Sequence, residues 1–379
     1  MSSTPGTDTS SLLSRLRRTR EAAATAGVDA LFVTPGSDLR YLLGVGGSSF
    51  ERLTCLVLPA EGSAAEPTLV VPALERPGYA HVPTDDLGVA VATWVDGENP
   101  FRLAFDTLGG TRPARVAVTD MMPALHVLGL RAEAPDTAQV LAGPVLRELR
   151  MRKDDAELAA LRKAGEAIDR VHAAMGEWLR AGRTEAQVAA DIAAAIVAEG
   201  HETADFVIVG SGPNGASPHH DVSDRVIERG DVVVVDIGGP VPEGYNSDST
   251  RTYVLGEPRE SDVPATYAVL QRAQQAAVDA VRPGVTASTV DETARRIIAD
   301  AGFGEFFIHR TGHGIGLDVH EEPYILAGNE LPLEPGMAFS VEPGIYLPGR
   351  WGARIEDIVV VTDDGVASLN NRPHDLVAL

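Results

Sequence analysis

His309-Arg-Thr-Gly-His313-Gly-Ile-Gly-Leu-Asp-Val-His320-Glu-Glu-Pro323 places three of the chain's ten histidines within twelve positions. Three glycines stand among them, at 312, 314 and 316. The backbone there is therefore free to turn and to approach a ligand closely. Neutral imidazole is the commonest protein metal ligand and the usual proton carrier near neutral pH. An isolated histidine is ordinarily a core or surface residue, but three with small spacers and two following glutamates point to a site. The next question is which other residues could share a metal with them.

Four carboxylates stand where an apolar strand would normally exclude them. Asp236 closes Val-Val-Val-Val-Asp, Asp248 opens Asp-Ser-Thr-Arg-Thr, Glu342 closes Met-Ala-Phe-Ser-Val-Glu, and Glu356 interrupts Arg-Ile-Glu-Asp-Ile-Val-Val-Val. A buried carboxylate needs a cation, a set of hydrogen bonds or a proton. With His313 the four make an oxygen-rich, single-imidazole set, suited to two hard or borderline divalent ions. Mn²⁺ is the first expectation on ligand type, with Co²⁺ or Zn²⁺ as alternatives. There is no Cys-x-x-Cys and no His-Glu-x-x-His, so neither a structural zinc nor a zincin site is indicated. Two ions roughly 3.5–4 Å apart can acidify a shared water and polarise a carbonyl, which is the equipment for hydrolysing an amide. Strand alternation sends Arg354 and Glu356 from one face. Arg354 then orients a metal-binding carboxylate, holds a substrate carboxylate or forms a plain cross-strand salt bridge.

Around this constellation the 379 residues divide in two. Residues 1–11 are Ser/Thr-rich and are expected to form a flexible tail. Residues 12–144 alternate between α and β as a small α/β domain, with a helix near Leu12–Ala26 and strands at Ala30–Val33, Thr54–Leu58, Thr68–Val71 and Arg115–Thr119. A helical connector over 145–152 leads to a catalytic unit, 153–379. That unit opens with an amphipathic helix through Leu158, Leu161, Ile168, Val171, Met175 and Trp178. Thr184-Glu-Ala-Gln187 has the form of a capping box and starts a second helix. Strands at Asp231–Gly238, Ser249–Leu255, Met337–Val341 and Ala353–Val361, with helices near Ala265–Val281 and Ala287–Ala301, complete an α+β unit of helices flanking a largely antiparallel sheet.

Composition narrows the function. Fifty-four acidic against 32 basic residues give a formal charge of −22, which repels phosphate backbones and disfavours nucleic acid as a partner. No apolar run is long enough to span a bilayer, so no membrane partner is expected. The single cysteine, Cys55, allows no intrachain disulfide. A cytoplasmic enzyme is the expectation.

The motifs Asp236-Ile-Gly…Gly-Tyr245-Asn-Ser-Asp248-Ser-Thr-Arg-Thr, the His309–Glu321 stretch, Val341-Glu342-Pro-Gly-Ile-Tyr346 and Arg354-Ile-Glu356-Asp together resemble the Xaa-Pro peptidases. These are aminopeptidase P and prolidase, in the wider group with methionine aminopeptidase and creatinase. The resemblance implies a creatinase-type N-terminal domain before a "pita-bread" catalytic domain with a dinuclear metal centre, and a homodimer. It makes Asp236, Asp248, His313, Glu342 and Glu356 the metal ligands, with Asp248 and Glu356 bridging, and Glu342 the general base as well. His219 lies seventeen residues before Asp236, as the family pattern requires. By the same resemblance His219 and His320 steady the tetrahedral intermediate and move protons, and His309 helps form the proline pocket. His220 is given no role.

Two departures qualify the match. The Asp236–Asp248 interval is one residue longer than usual, within Gly239-Pro-Val-Pro-Glu-Gly244, where an insertion at a hairpin tip need not shift register. Some prolidases carry an arginine shortly after the third histidine to pair with the dipeptide carboxylate. Here His320-Glu-Glu-Pro-Tyr324-Ile has none. Tyr324 is therefore the substrate-binding position that bears on subtype, and the expectation leans to aminopeptidase P acting on peptides with proline second, with Xaa-Pro dipeptidase as the alternative. A metal-free creatinase-like hydrolase and a peptide-binding module are the remoter readings, and five intact ligands argue against both. The N-terminal domain of roughly 150 residues argues against methionine aminopeptidase.

Overall fold

The computed structural model describes residues 8–110 and 112–379, which fall into two compact units, Met1–Arg150 and Met151–Leu379. Among the described residues no helix is long and apolar enough to cross a membrane.

The first unit runs α1 (Thr9–Thr25), β1 (Ala30–Val33), α2 (Ser37–Leu43), β2 (Cys55–Pro59), β3 (Thr68–Pro72), β4 (Ala90–Trp94), α3 (Pro100–Asp106), β5 (Arg115–Val118), α4 (Ala124–Glu133), β6 (Ala138–Leu141) and α5 (Gly143–Arg150). Its six-stranded sheet has the order β4-β3-β2-β1-β5-β6. β1–β2 and β2–β3 are antiparallel, and the other three pairings are parallel. Phe32, Cys55, Val57, Val116, Trp94 and Phe105 fill the core on one side. α1 begins inside the stretch expected to be a tail, while residues 1–7 of that stretch lie outside the described residues. Helix α5, where a connector is expected, buries Val145, Leu146 and Leu149 and packs against α1. Those three positions share one helical face, so the segment gains more by packing than by spanning.

The second unit opens with α6 (Asp155–Ala173) and α7 (Glu185–Ala198), each started by a complete capping box, Asp154/Glu157 and Thr184/Gln187. There follow β7 (Phe206–Ser211), β8 (Val232–Pro240), β9 (Asn246–Val254), α8 (Val263–Ala280), α9 (Ala287–Asp300), β10 (Gly312–Gly314), β11 (Glu321–Ile325) and β12 (Ala338–Val341). The last strands are β13 (Gly344–Leu347), β14 (Trp351–Arg354), β15 (Asp357–Val361), β16 (Val366–Ser368) and β17 (Val377–Ala378). They form three sheets, β17-β9-β8-β7, β11-β10-β12-β15-β16 and the ribbon β13-β14. All pairings are antiparallel except β17 with β9.

Each larger sheet turns one face to helices. Ile168, Val171, Val188, Ile192 and Ile196 of α6 and α7 pack on Val209, Val233, Val235 and Ile237. Leu270, Ala273, Val290, Ala294 and Ile298 of α8 and α9 pack on Phe339, Val341 and Val359. Alternation along β8 thus sends the odd-numbered valines to the helices and Asp236 to the opposite face.

The expected strand Ala353–Val361 is two strands. β14 ends at Arg354, β15 begins at Asp357, and they belong to different sheets. Ile355 and Glu356 form the link, with the Glu356 amide donating to the Thr250 carbonyl of β9 at 3.1 Å. Two of the three glycines of the histidine stretch also have a different use from the one expected. A Cβ on Gly312 would lie 1.8 Å from the Ser340 carbonyl oxygen and one on Gly314 2.2 Å from that of Glu322. Both make room for neighbouring backbone rather than for a ligand.

Candidate metal centre

The β8–β9 ladder sets Asp236 opposite Thr250 and Gly238 opposite Asp248. Positions 236, 248 and 250 share a face because side chains alternate with period two. Three other segments bring the rest: β10 carries His313, Glu342 follows β12, and Glu356 sits in the β14–β15 link. These side chains line a cavity of about 680 Å³, together with Asp205, Phe206, Ile208, Pro218, His219, His309, Arg310, Val319, His320 and Arg354.

Donor atoms converge in overlapping triads. Asp236, Asp248 and Glu356 form one, and His313, Glu342 and Glu356 a second, with ligand atoms within 4.8 Å of one another in each. A third group joins Asp248, His313 and His320. His313 Nδ1 lies 3.1 Å from the Gly314 carbonyl, which only accepts, so Nδ1 donates there and leaves Nε2 to face the cluster. Nε2 is 3.1 Å from Glu342 Oε1 and 3.5 Å from Asp248 Oδ2. Such spacings suit ligand atoms each about 2.1 Å from a common ion.

The electrostatics ask for cations. Asp248 and Glu356 are held well above the usual carboxylate range, first by burial and then by neighbouring carboxylates. Glu342 goes the other way: burial opposes its charge, yet the His313 hydrogen bond and the charges of His313, His309 and Arg354 bring it down to about 2. Asp236 Oδ1 is buried with no hydrogen-bond partner. An orphaned carboxylate oxygen beside two carboxyls that resist ionising fits an oxygen-rich donor set for a divalent cation.

One guanidinium organises the periphery. Arg354, 2% exposed, donates from Nη2 to Asp236 Oδ2 at 2.6 Å, from Nη1 to Tyr346 Oη at 2.7 Å and to the Pro218 carbonyl at 3.3 Å, and from Nε to Thr250 Oγ1 at 3.0 Å. Thr250 in turn donates to Glu356 Oε2 at 2.7 Å. The Tyr346 hydroxyl, accepting from Arg354, is free to donate to His309 Nε2 at 2.9 Å, while His309 Nδ1 donates to the Arg310 carbonyl at 2.7 Å. The His320 ring lies 3.9 Å from that of His313, and burial followed by the charges of His313 and Arg310 lowers its pKa to about 4.

The candidate residues His219, Asp236, Asp248, His309, His313, His320, Glu342, Arg354 and Glu356 therefore gather round one cavity. Tyr324 is not in its lining. It supports the lining residue Arg310, whose guanidinium carbon lies 4.4 Å from the Tyr324 ring centroid. Thr250, Arg310 and the Asp291–Arg295 pair were not legible as site residues. Asp291 Oδ1 accepts from the Thr311 amide and hydroxyl, and Arg295 donates to the Phe307 and His309 carbonyls, so α9 fixes the segment that carries His309. An acid and a base four apart on a helix give a signal for the pair but none for its target.

Comparison with known proteins agrees with this geometry. Residues 159–363 match the model of metallopeptidase family M24, and residues 15–152 match the creatinase/prolidase N-terminal domain. The chain is 60% identical over 365 residues to a probable dipeptidase PepE of Mycobacterium bovis, covering 96% of each chain. It is 37% identical to an Xaa-Pro dipeptidase of Lactobacillus delbrueckii subsp. lactis, covering 93% of this chain and 95% of that one. The crystal structure of dipeptidase PepE from Mycobacterium ulcerans superposes with a TM-score of 0.93 at 61% identity, covering 98% of this chain and 99% of that one. The chain belongs to metallopeptidase family M24, with a creatinase-type N-terminal domain followed by a pita-bread catalytic domain.

Proposed function

We propose that the protein is an Xaa-Pro dipeptidase working with two divalent metal ions, Mn²⁺ first among them. Four carboxylates, Asp236, Asp248, Glu342 and Glu356, line the cavity beside the Arg354 guanidinium, which pairs with Asp236. Two divalent ions would balance those four charges. Asp236, Asp248 and Glu356 would hold one ion and His313, Glu342 and Glu356 the other, with Asp248 close enough to His313 to bridge. When bound, the ions supply Lewis acidity, acidifying the attacking water and polarising the scissile carbonyl. Glu342 takes the water's proton as its oxygen attacks the carbonyl carbon, and the C–N bond breaks as the proline nitrogen is protonated. His219 and His320, on the cavity wall, steady the developing oxyanion and carry that proton. Arg354 holds Asp236 in its ligating pose, and His309, set by Tyr346, borders the proline ring. The rigid X–Pro bond has no N–H, so a shaped pocket is warranted.

Arg310 is the observation that turns the subtype from aminopeptidase P to dipeptidase. The expectation of longer peptides rested on a missing cation after His320. A cation reaches the cavity from the segment before β10, braced on Tyr324, and it makes no hydrogen bond or ion pair with another described residue. It is thus available to the carboxylate of a dipeptide, and relatives named as dipeptidases favour the same reading. A homodimer belongs to this reading by likeness to prolidases, and sedimentation tests it. The subtype test compares an Xaa-Pro dipeptide with its C-terminal amide in wild type and Arg310→Met. Losing a charge-assisted contact should lower kcat/KM for the dipeptide about 10- to 100-fold and spare the amide. Equal loss on both substrates, or tripeptides hydrolysed far better than dipeptides, would refute the dipeptidase reading.

A further inference from the structure

His219 lies on a loop with no regular strand or long helix to hold it, yet its side chain is exposed in the cavity. Behind that loop sits Glu185, the first residue of α7, with its side chain fully buried. Both of its oxygens are filled from the loop. Oε1 accepts from the Ser211 amide at 2.8 Å, the Ser211 hydroxyl at 2.6 Å and Asn214 Nδ2 at 3.1 Å. Oε2 accepts from His220 Nε2 at 2.8 Å, the Ser223 amide at 3.2 Å, the Ser223 hydroxyl at 2.6 Å and Asn214 Nδ2 at 3.1 Å. The main chain repeats the attachment, since the Ala186 amide donates to the Ser223 carbonyl at 3.1 Å. On the cavity side, Arg354 Nη1 reaches the Pro218 carbonyl at 3.3 Å.

We infer that Glu185, through Ser211, Asn214, His220 and Ser223, is a positioning residue that fixes His219 for the reaction, and that His220 is part of this clamp. A carboxylate collecting donors on both sides of residue 219 restrains the loop at two ends. His220 thereby gains a role that its place beside His219 does not suggest. The inference rests on the proposed role of His219 and is tested separately from it.

Glu185→Gln keeps the shape and is the informative substitution. The amide nitrogen must take one of the two oxygen positions, and each faces a backbone N–H, of Ser211 or of Ser223, that cannot turn away. A buried donor then meets a buried donor and the loop must move. Displacement of about an ångström can cost up to about 100-fold in turnover. The metal-loaded enzyme is assayed on an Xaa-Pro dipeptide as wild type, Glu185→Gln, His219→Ala and the double variant, with metal content measured on each. His220→Asn and Ser223→Ala serve the same cycle if Glu185→Gln does not fold. The expected result is a kcat about 10- to 100-fold lower in Glu185→Gln with full metal content, and a double variant within about twofold of His219→Ala alone. Losses that multiply, an unchanged kcat in Glu185→Gln, or loss of metal would overturn the inference and leave the His219 reading intact. Wild-type turnover in His219→Ala would refute that reading, and the inference with it.

Discussion

Thr250 is where a small change should propagate furthest through the metal centre. Its hydroxyl, fully buried, accepts from Arg354 Nε at 3.0 Å and donates to Glu356 Oε2 at 2.7 Å. Thr250→Val keeps the volume and the β-branched fit to β9 while deleting both bonds. Arg354 is then left with a buried, unsatisfied N–H, which costs about 1–3 kcal/mol. Glu356 loses the donor that aims Oε2, and removing an orienting partner from a metal ligand weakens binding about 10- to 100-fold, or roughly 1.4–2.7 kcal/mol. Competition against a chelator of known affinity reads the second loss, and denaturant unfolding of the metal-free protein reads the first. Thr250→Ser should recover most of both. Metal affinity within twofold of wild type, with unchanged apoprotein stability, would refute the idea that this hydroxyl orients Glu356.

Further tests follow from other contacts. His313→Ala should lose bound metal, whereas His320→Ala should keep it and lose turnover about 10²- to 10⁴-fold, and metal analysis beside steady-state kinetics separates them. Tyr346→Phe cuts the path from Arg354 to His309, so KM for Xaa-Pro substrates should rise about 5- to 10-fold at constant metal content. The metal-free protein should also show an unusual pH response. Asp248 and Glu356 have raised pKa values when folded, so their contribution to stability is full below the unfolded values of 3.8 and 4.5 and is lost as pH rises through the folded ones. Glu342, depressed to about 2, contributes stability above 4.5 that is lost as pH falls towards 2. Acidifying through the folded values of Asp248 and Glu356 should therefore stabilise the apoprotein relative to the metal-loaded form, where protons compete with the ions. Parallel unfolding curves for the two forms across that range would contradict it.

The carboxylates that gather in the cavity were legible because burying a carboxylate is costly, which makes Asp236 at the end of four valines and Glu356 inside a β-branched run conspicuous. Helix starts were legible from local chemistry, as Thr184 and Gln187 show. What supports the site was not. Arg354 meets Thr250 across 104 positions and Asp236 across 118, and Glu185 meets Ser211 across 26, with no local pattern marking such pairs. The break at Ile355–Glu356 carries no turn residue. It arises because β14 pairs with β13 while β15 pairs with β12, a choice made by the sheets and not by the segment. Because alternation assumed one strand there, it gave no warrant for Arg354 and Glu356 meeting at Thr250. The relatives favour the alternative subtype, dipeptidase, and the cation on which that subtype turns carries no mark beside Tyr324 in sequence, because Arg310 reaches that ring from the segment before β10.

Stepwise metal reconstitution is the most direct test of the dinuclear dipeptidase reading. Chelated protein is titrated with Mn²⁺ while bound metal per chain and hydrolysis of an Xaa-Pro dipeptide are followed together. Inactive apoprotein regaining full turnover as occupancy reaches about two ions per chain is the expected result. Turnover in metal-free protein, or no metal bound at saturation, would contradict it.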